Sequence, residues 1–275
     1  MDPAAAPDFA QLTDRARAWL DGPEAARIVA GGDGGAYAVD FAQRRLAVGL
    51  ERYADLFRRL GFVDGSPGLD IGSGAGHWAL AYAALNGAAD GIDSHTDFVA
   101  IANGVAHAVG YGDRIQCRVG DAARLAAPDG AYGAAWCHSV LMYVDAEAAL
   151  LQANRVLRPG GRLYVGYTGL GQRLALLAPP TDPRTRSANL VIALNQGLFR
   201  LGLGRTKGGR VRAQTRAELE KLAGLAGFEV VARPNLQDAS GPPGGPETTI
   251  DMLLERVASP ADIGAKLQGD AAALE

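Results

Sequence analysis

From Pro67 onward, short apolar runs alternate with stretches whose apolar residues recur at helical spacing. "GLDI" leads into a glycine-rich turn and a helical segment from about His77 to Asn86. "ADGID", "RIQCRVG", "YGAAWCH" and "GRLYVGY" read as further strands, and Phe98, Ile101, Val105 and Val109 mark the helix after the second strand. Before the fifth strand, "DAEAALLQANRVLRPGG" reads as a helix stopped by Pro159 and the paired glycines. After a lapse between Gly169 and Thr215, "TRAELEKLAGLAGFEVVARP" supplies another helix and strand, with Glu218 three residues after Thr215 as a capping box. "TTIDMLLERV" reads as a last strand, and two terminal strands joined by a loop suit an antiparallel edge.

This alternation predicts a seven-stranded, mostly parallel sheet with helices on both faces, so binding residues should gather at the carboxyl ends of the strands. The first seventy residues read as helix, loop and helix, broken at "GGDGG" from Gly31 to Gly35. Leu46, Leu50, Tyr53, Phe57 and Leu60 form the apolar stripe of the second helix, and Gly61 supplies its stop. The expected organisation is an N-terminal helical segment over 1–66, a core over 67–169, a helical lid insertion over 170–214, the rest of the core over 215–257 and a tail over 258–275.

Composition narrows the function classes. Hydrophobic residues at 48% and charged residues at 21% are ordinary for a globular chain. A net charge of -3 gives no global reason to expect nucleic acid. Cys117 and Cys137 alone imply neither a disulfide scaffold nor a cysteine-rich metal site. The start lacks a secretory pattern, and no stretch is long and apolar enough to cross a membrane as a helix, so the expectation is cytoplasmic. The final "AAALE" looks vector-encoded and is set aside.

The chemistry starts at "LDIGSGAGHWAL", Leu69 to Leu80. Gly72, Gly74 and Gly76 permit a tight strand-to-helix turn beside free helix N–H groups. A dinucleotide loop would want Gly or Ala where His77 stands, and no G-K-[ST] ending marks a phosphate-binding Walker loop. Asp70 just ahead of the glycines favours a ligand with a positive end. Asp93 and Asp121 then follow the second and third strands.

This ordered set resembles the class I S-adenosylmethionine-dependent methyltransferases, with "LDIGSGAGHWAL" as their first motif and "ANRVLRPGGRLYVG" as their helix, proline-glycine turn and fifth strand. The resemblance covers most of 67–168, returns weakly over 215–257 and implies a Rossmann-like fold. It implies that Gly72, Gly74 and Gly76 pass around the methionyl part of S-adenosyl-L-methionine, that Asp70 helps place its amino group or a water near it, that Asp93 accepts from the ribose hydroxyls, and that Asp121, with the backbone of Ala122, meets the adenine amine. Tyr132-Gly133 departs from the family's aromatic-Asp pair, leaving no acid for that role.

Methyl transfer needs an acceptor aligned with the S–CH3 bond and yields S-adenosyl-L-homocysteine; positioning and desolvation carry much of the acceleration. For a hydroxyl acceptor, His138 at the end of the fourth strand is the candidate base, and a cofactor contact is its other reading. Tyr37 and Tyr143 are candidates to line the acceptor pocket, with core packing as the alternative. His77, His95 and His107 form no convincing metal cluster, so no metal is assigned.

In the insertion, Arg173, Arg184, Arg186, Arg200, Arg205, Lys207, Arg210, Arg212 and Arg216 face only Asp182, a bias suited to an anionic acceptor. Arg184 and Arg186 would hold that charge. Asn189 and Asn195 would orient polar groups, and Phe199 would supply an apolar wall. The leading expectation is methylation of a small molecule in specialised metabolism, oxygen favoured, by a monomer or homodimer. RNA methylation is the other enzymatic reading, weakened because aromatics are not interleaved through the basic tract. A cofactor-binding scaffold, or a non-methylating enzyme on the same fold, stands as the third.

Overall fold

The computed structural model describes residues 6–31, 34–168, 214–234 and 249–259, with the single positions 183, 186, 187, 190, 261 and 262. Its strands are β1 (Gly68–Ile71), β2 (Ala89–Asp93), β3 (Ile115–Val119), β4 (Tyr132–His138), β5 (Leu157–Thr168), β6 (Phe228–Ala232) and β7 (Thr249–Arg256). They are ordered β3-β2-β1-β4-β5-β7-β6. β1 runs parallel to β2 and β4, β2 runs parallel to β3, and β7 is antiparallel to both β5 and β6. The expected Rossmann-like, mostly parallel sheet is therefore observed. The antiparallel strand, however, lies one place inside the edge, which β6 occupies.

The chain divides into two compact units, Met1–Trp136 with Val156–Arg158, and Cys137–Arg155 with Pro159–Glu275. In the first, the described residues of the N-terminal region form four helices rather than two: α1 (Phe9–Leu20), α2 (Pro23–Gly31), α3 (Gly35–Leu46) and α4 (Leu50–Leu60). Asp21 and Gly22 separate α1 from α2, and Pro23 takes the first helical position, where its missing N–H costs nothing. The expected stripe is buried throughout but is shared, Leu46 on α3 and the rest on α4. Gly61 ends α4 in the left-handed conformation, as its sequence position predicts.

These helices pack against α5 (His77–Asn86) and α6 (Thr96–Ala108). Trp19 lies across Gly104 of α6, where a Cβ would come within 2.3 Å of the indole. α5 is buried from His77 through Ala83 because α4 covers its outer side, which explains why its sequence is apolar all round. Beneath it, Trp136 of β4 packs on Phe57 and Tyr82 at 4.9 and 4.8 Å between ring centroids.

The second unit contains α7 (Ala146–Val156), its strands and α8 (Arg216–Leu225). α7 stops three residues before Pro159 because the residue ahead of a proline is driven out of helical geometry, and the paired glycines belong to β5 instead. The capping box of α8 is formed: Thr215 Oγ1 accepts from Glu218 N while Glu218 accepts from Thr215 N. Asn154, fully buried on α7, donates to the carbonyls of Gly227 and Ala258.

Candidate functional site

The turn between β1 and α5 is tied onto the end of β2. Gly72 N and Ser73 N donate to Ile92 O at 2.7 and 2.9 Å, and Gly74 N donates to Asp93 Oδ2 at 2.9 Å. Gly74 and Gly76 have φ of 50° and 75°, the left-handed region that glycine adopts without strain. A Cβ at Gly74 would meet the Phe41 ring at 3.3 Å, and one at Gly76 would meet the Ala102 Cβ at 2.8 Å. Gly76 thus lets α5 approach α6, a packing role that its place in the motif does not disclose.

Asp93 holds two backbone donors, Gly74 N on Oδ2 and His95 N on Oδ1, each at 2.9 Å, and its carbonyl accepts from Gly120 N. Asp121 accepts from Ala123 N in a local turn and is exposed, while Ala122 beside it is buried. The ends of β1, β2 and β3 therefore each carry the acid that the sequence predicts there.

Asp70 is the most enclosed of the three acids. It is 2% exposed, and its Oδ2 is buried without a hydrogen-bond partner. Burial pushes its pKa up to about 8; the Trp136 side chain opposes this, the charge of Asp93 adds to it, and the Ala79 N–H opposes it. Asp70 and Trp136 are register partners on β1 and β4, so their side chains share one sheet face. Ser73 Oγ and Trp136 Nε1 are likewise buried without partners. Buried unsatisfied polar atoms are uncommon in folded chains, and these three lie behind the glycine turn, on β1, on the turn itself and on β4. Together with exposed Asp121 and acceptor-rich Asp93, they fit a nucleoside bearing hydroxyls and a positive charge.

An aromatic rim borders the turn. Phe41 lies 5.2 Å from Phe98 and 6.0 Å from His77, and Tyr37 lies 5.8 Å from Phe98, ring centroid to centroid. Tyr37 packs on Phe98 and Phe41 yet keeps 59% of its surface exposed. His77 is buried against Tyr53 at 4.9 Å, and Trp78 packs on Tyr53 and Phe57. Phe41 and the rim role of Phe98 were missed in the sequence because apolar residues at helical spacing look alike whichever surface they serve.

In the second unit, His138 ends β4 and is followed by Ser139, a non-glycine residue at φ 60° whose N–H donates to Gly166 O at 2.7 Å. Both His138 and the Tyr164 hydroxyl lie over Gly166 of β5. Tyr164, in turn, donates to buried Asp251 at 2.7 Å. Neither Tyr164 nor Asp251 carries a sequence signal beyond its strand position. Tyr143 is exposed on the turn after β4. Arg186 is half-buried; Arg184, Asn189, Asn195 and Phe199 lie outside the described residues.

Among the described residues, no cluster of three or more His, Cys, Asp or Glu side chains could hold a metal, and no helix is long and apolar enough to cross a membrane. Residues 69–165 match the family described as Methyltransferase domain. The 27-O-demethylrifamycin SV methyltransferase of Amycolatopsis mediterranei (strain S699) is 37% identical over 100 residues, 36% of this chain and 37% of that protein. The match thus spans little more than a third of the curated relative. The [4+2]-cyclase SpnF shares the fold with a TM-score of 0.53 and 21% identity, over 76% of this chain and 81% of that one. Geranyl diphosphate C-methyltransferase from Streptomyces coelicolor A3(2) does so with a TM-score of 0.55 and 15% identity, over 93% of this chain and all of that one.

Proposed function

Residues 69–165 carry the methyltransferase domain of the class I S-adenosylmethionine-dependent family, and from that premise we propose that the protein methylates a small-molecule acceptor, at oxygen in preference to nitrogen or carbon. The observation that carries the cofactor assignment is the Asp93 clamp: one carboxylate holds the glycine turn through Gly74 N and keeps lone pairs for a ribose diol. When bound, S-adenosyl-L-methionine supplies a methyl group on a cationic sulfur, and its transfer leaves the uncharged thioether of S-adenosyl-L-homocysteine. Asp121 and Ala122 would receive the adenine, and Tyr37 with Phe98 would border the acceptor.

For a hydroxyl acceptor, the forming C–O bond makes the oxygen's proton acidic, and His138 takes that proton on its imidazole. Tyr164 and Asp251 would hold the ring in place beside Gly166. The O-linked acceptor named for the Amycolatopsis relative supports oxygen as the target. The basic insertion supports a carboxylated or phosphorylated acceptor, held by Arg184 and Arg186. The deciding experiment incubates the protein with methyl-labelled cofactor and panels of hydroxylated, amine and unsaturated acceptors. Label recovered as an O-methyl product is the expected result. Cofactor binding with no transfer to any class would return the chain to the scaffold reading.

A further inference from the structure

The acids at the ends of β1 and β2 are neighbours but not equals. Each carboxylate oxygen of Asp93 accepts from a backbone N–H at 2.9 Å, whereas Asp70 Oδ2 accepts from nothing and is sealed from solvent. Two carboxylates sharing a poorly hydrated site do not both carry charge cheaply, and Asp70 is the one that burial strips of solvent. Other titratable and charged groups face the two acids from the neighbouring elements. From β3, the Cys117 thiol is pushed up to about 12, mainly by burial and partly by Asp70. From β2, Asp90 is engaged by Tyr132 at 2.7 Å and faces Arg118 at 3.9 Å. β4 contributes the uncharged Trp136, and α5 contributes the Ala79 N–H and the buried His77.

We propose that Asp70 and Asp93 act as a charge-reading pair: Asp70 holds a proton in the free protein and releases it to solvent when a positively charged nucleoside seats on the glycine turn. The inference rests on the cofactor assignment above. Because Asp70 is buried behind the turn, it senses the ligand through the field and not by contact. A cationic sulfur draws the proton off, whereas the uncharged thioether left after transfer does so less. Loss of the methyl group therefore favours return of the proton to Asp70 and weakens the hold on the product. The pair thus makes the site selective for the charge state of the sulfur, a property distinct from contacts to ribose or adenine.

The test is titration calorimetry of S-adenosyl-L-methionine and S-adenosyl-L-homocysteine at about pH 7, in two buffers of different ionisation enthalpy, which counts protons released per site. Wild-type protein should release a larger fraction of a proton with the methyl-bearing nucleoside, and the ratio of the two affinities should rise about threefold or more from about pH 6.5 to 8.5. Asp70→Asn, which preserves size, should bind both ligands with no difference in proton release beyond the ligands' own amines. Equal release for the two nucleosides on wild-type protein overturns the inference and leaves the cofactor assignment standing. Failure of both to bind overturns the two together. Should Asp70→Asn not fold, the comparison of ligands on wild-type protein across pH decides the matter.

Discussion

Gly166 of β5 is the floor on which His138 rests: a Cβ built there would come within 2.4 Å of the imidazole Cδ2 and 2.8 Å of the Tyr164 hydroxyl. Gly166→Ala should therefore displace the ring. Turnover should fall by as much as about a hundredfold, the scale on which a misplacement of roughly 1 Å acts, with cofactor affinity unchanged. His138→Asn should cost roughly 10²–10⁴ in turnover and likewise spare cofactor binding. Full activity in His138→Asn would dismiss it as a base, and measuring kcat beside calorimetric affinity separates these outcomes.

Asp93→Ala removes the acceptor for both Gly74 N and His95 N together with the groups assigned to the ribose. Hydrogen bonds to a charged partner contribute roughly 1.5–3 kcal/mol each, so the affinity for S-adenosyl-L-homocysteine should fall by about a hundredfold or more. Unchanged affinity would remove the ribose assignment.

Much of this was legible in the chain. The bounds of β2 and β4, the extent of α5, the capping box of α8 and the acids at three strand ends all follow from local pattern, because each is decided within a few residues. What escaped depends on remote neighbours. The burial of Asp70 shows only once Trp136, in register on β4, and the apolar α5 are packed around it. Gly76 reads as cofactor backbone until Ala102 of α6 is brought against it. The breaks at Asp21–Gly22 and Ala47–Gly49 are too short to stand out from the helical spacing on either side.

Gly74 separates two reasons for a glycine. Its φ of 50° penalises any side chain by roughly 1–2 kcal/mol, and a Cβ would also press on Phe41 at 3.3 Å. Gly74→Ala should weaken cofactor binding. Adding Phe41→Leu should recover only part of the loss, because the second change relieves the contact and leaves the backbone strain. Complete recovery in the double variant would show that crowding alone demands the glycine.

Asp70 also makes the stability of the free protein depend on pH in an unusual sense. Its folded pKa of about 8 lies above the ordinary 3.8, so the native state binds the proton more tightly than the unfolded chain does. The stability this provides is complete below about pH 4 and is lost as pH rises through about 8, with a slope of at most about 1.4 kcal/mol per pH unit. A carboxylate held in an ion pair would act the other way. Thermal midpoints of ligand-free protein should fall between about pH 5 and 8, and Asp70→Asn should flatten that fall because the amide has no proton to lose. Other groups titrating in the range contribute equally to both proteins, so the difference between the curves isolates Asp70. A wild-type curve parallel to that of Asp70→Asn would mean that the carboxyl is already ionised in the folded chain, and its burial would then need a cation partner.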